Sequence, residues 1–450
     1  MARFSRIQKS LLVLLACCLA LILPAPAFAE RRDADVICGS SQAQLARADA
    51  DRPDITASAA IVVGKDGETY FERDADKQVK IASVTKVMTA ILALENTQLT
   101  DTVTVSASAA AVGQASAGLE AGDTLTMESL LRGLLVSSGN DAAQAIAEHV
   151  GAKLDPASPD PASVFVKAMN DKAAALGMTS TVFENAHGLD FDEWAGGMHS
   201  TARDVSKMFA HAMTVDAFRA LVADPGTEIQ VTGSDGTVRT VALKPHNDVL
   251  GRDGNIGGKT GTTPEAGECF VGAFSQDAGG EVYTVVLGSA EGKRFDDTLA
   301  LSTWYYAHTV SYPVVSATRE TAAGAPLVGR AVHADWTDKT VDVTVSDADA
   351  NAKVSLFSLA GEVTDDVELK KLSGDVRRGD AAGTLTISQG GAVKATVTLV
   401  TAQGQDAPQG LDWLMVKLDR FIRDVEGRPQ TAKAAEYVEP VDPTSLDAAA

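Results

Sequence analysis

Apolar positions at helical spacing stand out first in Val87, Met88, Ile91 and Leu92, directly after Ala82-Ser83-Val84-Thr85-Lys86. They predict a helix that runs through the core. Upstream, Ala57 to Val63 and Thr69 to Glu72 flank Gly64-Lys65-Asp66-Gly67, the pattern of two strands joined by a tight turn. Downstream, Asp101 to Val105 reads as a strand. Thr126 to Leu131 then opens a second helix, with Thr126 as its cap and Glu128 in the first turn. That helix ends at Val136-Ser137-Ser138-Gly139-Asn140 and another starts at Asp141, which places Ser138 and Asn140 on a short interhelical turn. Helical periods return at roughly 162–176, 201–222 and 296–308. Strand character marks Glu228 to Thr240, Ile256 to Thr262, Cys269 to Phe274 and Val282 to Leu287. Strands near both ends with helices between them predict an α/β (α+β) domain: a mainly antiparallel sheet, a helical insert and a cleft between the two.

The pattern changes after Ser311. Short alternating runs at 327–332, 341–345, 353–357, 383–387 and 393–399, separated by turn residues, predict a small all-β sandwich. Residues 410–426 return to helical period. Leu411, Leu414, Met415, Leu418, Phe421, Ile422 and Val425 share one face, charges occupy the other, and Trp413 lies near the apolar edge. The segment is too short and too charged to span a bilayer, so it is expected to lie on a surface, with a membrane favoured over the β domain or a second copy.

A basic start (Arg3, Arg6, Lys9), an apolar run from Leu11 to Leu23 and Ala27-Phe28-Ala29 make residues 1–29 an export signal. An N-terminal anchor, or lipidation at Cys17, is the alternative. The expected plan continues with a leader over 30–52, a catalytic domain over 53–310, a linker over 311–323 and the β sandwich over 324–405. The amphipathic helix takes 406–428, and an acidic, disordered tail 429–450. At 450 residues the chain has material for two or three such units. Cleaving the signal removes three positive charges and no negative ones, so the net charge moves from −21 to −24. That sign excludes nucleic acid as a natural partner. Cys38 and Cys269 follow no disulfide or metal spacing; Cys269 is expected to be a buried free thiol. No metal or other cofactor is implied.

Ser83 and Lys86 stand three residues apart at a helix start. A serine hydroxyl becomes a nucleophile when a base takes its proton, and an amine one turn along serves if burial or a second cation lowers its pKa. Two further elements follow in order, Ser138-Gly139-Asn140 and Lys259-Thr260-Gly261. The three fall on a buried helix, an interhelical turn and a strand, and Lys259 supplies the second cation.

In order and type, this set resembles the active site shared by penicillin-binding proteins and serine β-lactamases. Beyond the motifs, the chain resembles the low-molecular-mass penicillin-binding proteins, the D-alanyl-D-alanine carboxypeptidases. The likeness rests on Ala82-Ser83-Val84-Thr85-Lys86-Val87-Met88-Thr89-Ala90, Ser138-Gly139-Asn140-Asp141-Ala142 and His187-Gly188-Leu189-Asp190. It extends through His199-Ser200-Thr201-Ala202-Arg203-Asp204 and Lys259-Thr260-Gly261-Thr262, and through the layout of signal, catalytic domain, β domain and terminal helix.

The resemblance implies a serine β-lactamase/DD-peptidase-like fold and removal of the terminal D-alanine from peptidoglycan stem peptides through an acyl-enzyme. β-Lactams would be covalent inhibitors, and the site of action periplasm or cell wall, on the outer face of the cytoplasmic membrane. It casts Ser83 as nucleophile, Lys86 as base and Ser138 as proton relay. Asn140, Lys259, Thr260, Gly261 and Thr262 would bind substrate, with the N–H groups of Ser83 and Thr262 as oxyanion hole. Thr260 and, by family position, Arg294 would hold the free C-terminal carboxylate. His187 and His199 are expected to order loops, since a lysine base leaves no post for a histidine, and Arg203 and Asp204 to pair or cap a helix. A β-lactamase is the nearest rival, but between Ser138 and Lys259 there is Glu184-Asn185 and no Glu-x-x-Leu-Asn. A DD-endopeptidase and a non-catalytic wall-binding scaffold are the other readings.

Overall fold

In the computed structural model, which describes residues 34–41, 52–226 and 228–446, the chain divides into two compact units. One comprises residues to Ser275 with Glu281–Thr303; the other is Gln276–Gly280 with Trp304–Ala450. The export signal expected over 1–29 lies outside the described residues.

In the first unit, strands β1 (Asp35–Ile37), β2 (Ser40–Ser41), β3 (Ala59–Gly64) and β4 (Thr69–Arg73) precede α1 (Lys86–Asn96). Next come β5 (Thr102–Thr104), α2 (Ala107–Ala110), β6 (Thr124–Thr126), α3 (Met127–Leu135), α4 (Asn140–Leu154) and α5 (Pro161–Ala175). Helices α6 (Ala202–Ala212) and α7 (Asp216–Val222) lead to the hairpin of β7 (Glu228–Thr232) and β8 (Val238–Ala242). The unit ends with β9 (Asn255–Thr263), β10 (Gly267–Gln276), β11 (Gly280–Ser289) and α8 (Arg294–Ala307), whose last residues belong to the second unit.

The main sheet runs β2-β1-β4-β3-β11-β10-β9, so strands from both sequence ends flank the helical insert and β9 forms one edge. Pairings β9/β10, β3/β11, β3/β4 and β1/β4 are antiparallel. Helix α1 is buried from Lys86 to Ala93. Its Val87, Met88, Ile91 and Leu92 join one core with Leu130, Leu134, Ile146 and Phe209.

In the second unit, β12 (Thr309–Pro313) comes first, then β13 (Gly329–Val332), β14 (Thr340–Val345), β15 (Lys353–Phe357), β16 (Val363–Leu369), β17 (Ala381–Gln389) and β18 (Ala392–Thr401). Helix α9 (Gly410–Val425) and β19 (Ala435–Glu436) close it. A six-stranded sheet runs β16-β17-β18-β14-β13-β19, and β12 pairs with β15. On α9 only Val416 is buried; Leu411, Trp413, Leu414, Met415, Leu418, Phe421, Ile422 and Val425 are all exposed.

Several expectations change. The leader expected over 30–52 contributes a strand to the sheet, where Asp35 in β1 accepts from Arg73 Nε and Nη2 at 2.6 and 2.9 Å, and both side chains are buried. The 429–450 tail is not simply disordered: β19 pairs with β13, and Val441 N–H donates to the Tyr312 hydroxyl at 3.0 Å. A free strand edge and a buried tyrosine thus recruit an acidic segment that composition alone reads as disordered. The compact units divide at Trp304 rather than 310/311, because β12 pairs with β15 of the sandwich unit. The helix expected over 201–222 splits where the Thr214 hydroxyl donates to His211 O at 2.7 Å, near the end of α6. β16 lies outside the expected strands because Asp365 puts a charge at an inward position between Val363 and Val367 and breaks the apolar alternation.

Candidate active site

Ser83 stands in a tight 3₁₀ turn (Ala82–Thr85), and Lys86 is the first residue of α1. The pair therefore shares a helix junction rather than one continuous α-helix. Two glycines permit it. A Cβ at Gly188 would lie 2.0 Å from Ala82 O, and one at Gly261 would lie 2.6 Å from Ile81 O. Both the 187–190 loop and β9 thus pack against the serine turn at backbone distance. Ala82 (φ 48°) and Ser138 (φ 55°) hold left-handed backbone, a strain of about 1–3 kcal/mol each that concentrates where a site is over-determined.

Lys86 Nζ lies 2.7 Å from Ser83 Oγ, 2.7 Å from Asn140 Oδ1 and 2.8 Å from His187 O. Asn140 Nδ2 donates to Gly113 O at 2.9 Å, which fixes the amide so that its oxygen faces the lysine. Burial, then the charge of Lys259, hold the Lys86 amine well below the usual lysine range. A neutral amine has two N–H donors and one lone pair. Asn140 Oδ1 and His187 O can only accept, so in the neutral form they would take both N–H groups and leave the lone pair for the Ser83 proton.

Lys259, also buried, donates from Nζ to Ser138 Oγ at 2.8 Å and Thr260 O at 2.7 Å. Burial and nearby Arg294 lower its pKa to about 7. Ser138 belongs to the turn as expected, whereas Asn140 begins α4. The neighbouring Asp141 carboxylate accepts from Ala117 N–H and Leu119 N–H at 2.8 and 3.1 Å, pinning the loop that passes over the site.

These groups sit at or beneath a cavity of about 460 Å³ lined by Ser83, Ser138, Thr260, Gly261, Thr262 and Arg294. Sequence reasoning missed four further lining residues with titratable side chains: Lys244, His246, Asp248 and Glu268. They carry no motif and lie outside the three short elements. Arg294 is not a solvated surface arginine; its side chain is 14% exposed and paired with Glu268.

The His187 ring accepts from Leu189 N–H at 3.2 Å through Nδ1 and meets Trp194 edge-on at 4.4 Å. Burial, then Lys86, drop its pKa to about 3, so it stays neutral, and its backbone oxygen is what touches Lys86. His199 Nδ1 contacts Gly197 O at 2.6 Å. Arg203 pairs with Glu72 and Asp76, while Asp204 accepts from Ser180 N–H and the Thr181 hydroxyl. Cys269 is a free thiol whose pKa burial raises to about 11.

Residues 46–291 match the family model described as D-alanyl-D-alanine carboxypeptidase, Peptidase S11. The chain belongs to this family. It is therefore a serine-type D-Ala-D-Ala carboxypeptidase by class, with the DD-peptidase fold. D-alanyl-D-alanine carboxypeptidase DacF of Bacillus subtilis (strain 168) is 26% identical over 351 residues, 75% of this chain and 83% of that protein. D-alanyl-D-alanine carboxypeptidase DacB2 of Mycobacterium tuberculosis is 33% identical over 260 residues, 57% of this chain and 84% of that protein. Among solved structures, the Streptomyces K15 DD-transpeptidase is similar at 31% identity and a TM-score of 0.53, covering 56% of this chain and 98% of that one.

Proposed function

We propose that this carboxypeptidase releases the terminal D-alanine of peptidoglycan stem peptides through an ester on Ser83, and that β-lactams acylate the same serine. The single observation that carries the reading is the wiring of Lys86, whose Nζ lies 2.7 and 2.8 Å from the fixed acceptors Asn140 Oδ1 and His187 O and 2.7 Å from Ser83 Oγ, so that the neutral amine can take the serine proton.

As Ser83 Oγ attacks the carbonyl carbon between the two D-alanines, its proton passes to Lys86 Nζ. The N–H groups of Ser83 and Thr262 receive the developing oxyanion. Ser138, held by Lys259, relays a proton to the leaving amine as the C–N bond breaks, and water then cleaves the ester. Thr260 and Arg294 hold the substrate's C-terminal carboxylate. Rapid lactam hydrolysis needs a carboxylate free to activate water. Glu184, the glutamate next to Asn185, is instead engaged with Gly197 N–H and Met198 N–H, both at 3.0 Å.

The exposed apolar face of α9 supports attachment to a membrane surface, with the exported catalytic unit working outside the cytoplasmic membrane. Among the described residues no helix is long and apolar enough to cross a bilayer.

The test is to incubate the mature protein with a diacyl-Lys-D-Ala-D-Ala peptide, and separately with labelled penicillin. Released D-alanine and a slowly hydrolysed adduct, both absent in Ser83→Ala, are expected. Fast penicillin turnover without D-alanine would make it a β-lactamase. Liposome flotation of the full chain against Leu414→Glu/Phe421→Glu tests the membrane reading, since deleting 406–450 would also remove β19; equal flotation would refute it.

A further inference from the structure

The arginine at the mouth of the cavity is already occupied. Arg294 opens α8, and Glu268 of β10 spans its fork: Oε2 accepts from Nε at 3.2 Å and from the Arg294 backbone N–H at 3.3 Å, while Oε1 lies 3.0 Å from Nη2. Nη1 donates to Gly261 O at 3.0 Å, with Cys269 O at 3.5 Å. A guanidinium has five N–H donors in a rigid plane. These contacts use the Nε/Nη2 edge and both donors of Nη1, leaving one Nη2 donor.

Glu268 is ionised at neutral pH, because the hydrogen bond and charge of Arg294 and the N–H groups of Gly292 and Arg294 outweigh its partial burial. A carboxylate also suits the N-terminus of α8, where a lone arginine would face the positive end of the helix dipole. Glu268 therefore both compensates the charge of Arg294 and occupies the edge a ligand carboxylate would use for two parallel bonds.

We propose that Glu268 is a specificity-determining residue: by engaging Arg294 it confines a substrate's C-terminal carboxylate to a single hydrogen bond from a charge-compensated arginine. The enzyme consequently discriminates weakly between a free terminal carboxylate and a neutral carboxamide, and accepts donors whose last D-residue is amidated or extended. The proposal rests on the carboxypeptidase reading of the same cavity.

The test compares kcat and KM for diacyl-Lys-D-Ala-D-Ala and its C-terminal carboxamide in the full chain, in Glu268→Gln, in Arg294→Ala and in the double variant. Glutamine keeps the shape and an acceptor for Arg294 while removing the charge. The acid-over-amide ratio of kcat/KM should rise about 5–30-fold in Glu268→Gln, the factor separating charge-assisted from neutral hydrogen bonding. The gain should appear in KM for the acid and vanish when Arg294 is alanine.

An unchanged or lower ratio, with labelled penicillin still acylating the variant stoichiometrically, overturns the proposal and leaves the carboxypeptidase reading intact. A variant that fails to acylate is replaced by Glu268→Asp, whose shorter carboxylate releases the fork edge; an unchanged ratio there also overturns it. Absence of D-alanine release by the unaltered protein overturns both.

Discussion

Asn140→Asp tests the wiring of the base most directly. The substitution is nearly isosteric, but it places an anion where a neutral oxygen now lies 2.7 Å from Lys86 Nζ. At an effective dielectric constant of ~20, two unit charges at that separation attract by ~6 kcal/mol. Desolvating the new carboxylate, and setting it against Gly113 O in place of the donor now 2.9 Å away, takes back about half. A net ~3 kcal/mol favouring protonated Lys86 raises its pKa by about two units, which lowers the neutral fraction by about a hundredfold only at pH values below both the old and the new pKa. The acylation rate constant for labelled penicillin, followed by stopped assay and gel from pH 6 to 10, should fall by up to that factor at the acid end and by less as the pH rises. Relative to the unaltered protein, the variant's rate should recover towards alkali, where the neutral amine returns; taking the ratio cancels the Lys259 decline common to both. Circular dichroism and melting temperature control for folding. Acylation within a few-fold of the unaltered protein, with an unchanged pH profile, would refute the assignment of Lys86 as a neutral base wired by Asn140.

Lys259 titrates at about 7 and Lys86 must be neutral to act, so acylation rises with pH as Lys86 loses its proton and declines as Lys259 loses its charge. A pH–rate profile should show the alkaline decline beginning near 7 and absent in Lys259→Gln; the same decline in both would contradict this. Gly188→Ala puts a Cβ 2.0 Å from Ala82 O at a φ of +90°, so it should displace the serine turn, cost about 2–4 kcal/mol in urea unfolding and slow acylation at least tenfold. Asp35→Ala leaves the fully buried Arg73 without its carboxylate and should lower stability by about 3–5 kcal/mol in the same assay, while penicillin acylation at Ser83 below the transition is unchanged.

Much of this molecule was legible in one dimension. Helical spacing behind Lys86, strand alternation around Lys259 and the interhelical turn at Ser138 are local properties, set by which faces must leave water. The three motifs needed only to lie on the right elements to be recognised. The amphipathic period of residues 410–426 is equally local.

The remainder depended on partners distant in sequence. Glu268 and Arg294 are 26 positions apart, and nothing in either neighbourhood foretells that they share a salt bridge at the cavity. That His187 contributes its carbonyl rather than its ring follows from packing against the serine turn, which brings that oxygen to Lys86 across 101 positions. Nor does acidic composition reveal that Asp35 answers a buried arginine or that β19 finds a free edge. Local periodicity determined the elements, and the order of the three motifs pointed to Ser83 as the candidate nucleophile. Burial and long-range charge pairing, which exist only in the folded chain, decided that the Lys86 amine is held well below the usual lysine range and that Arg294 is paired with Glu268.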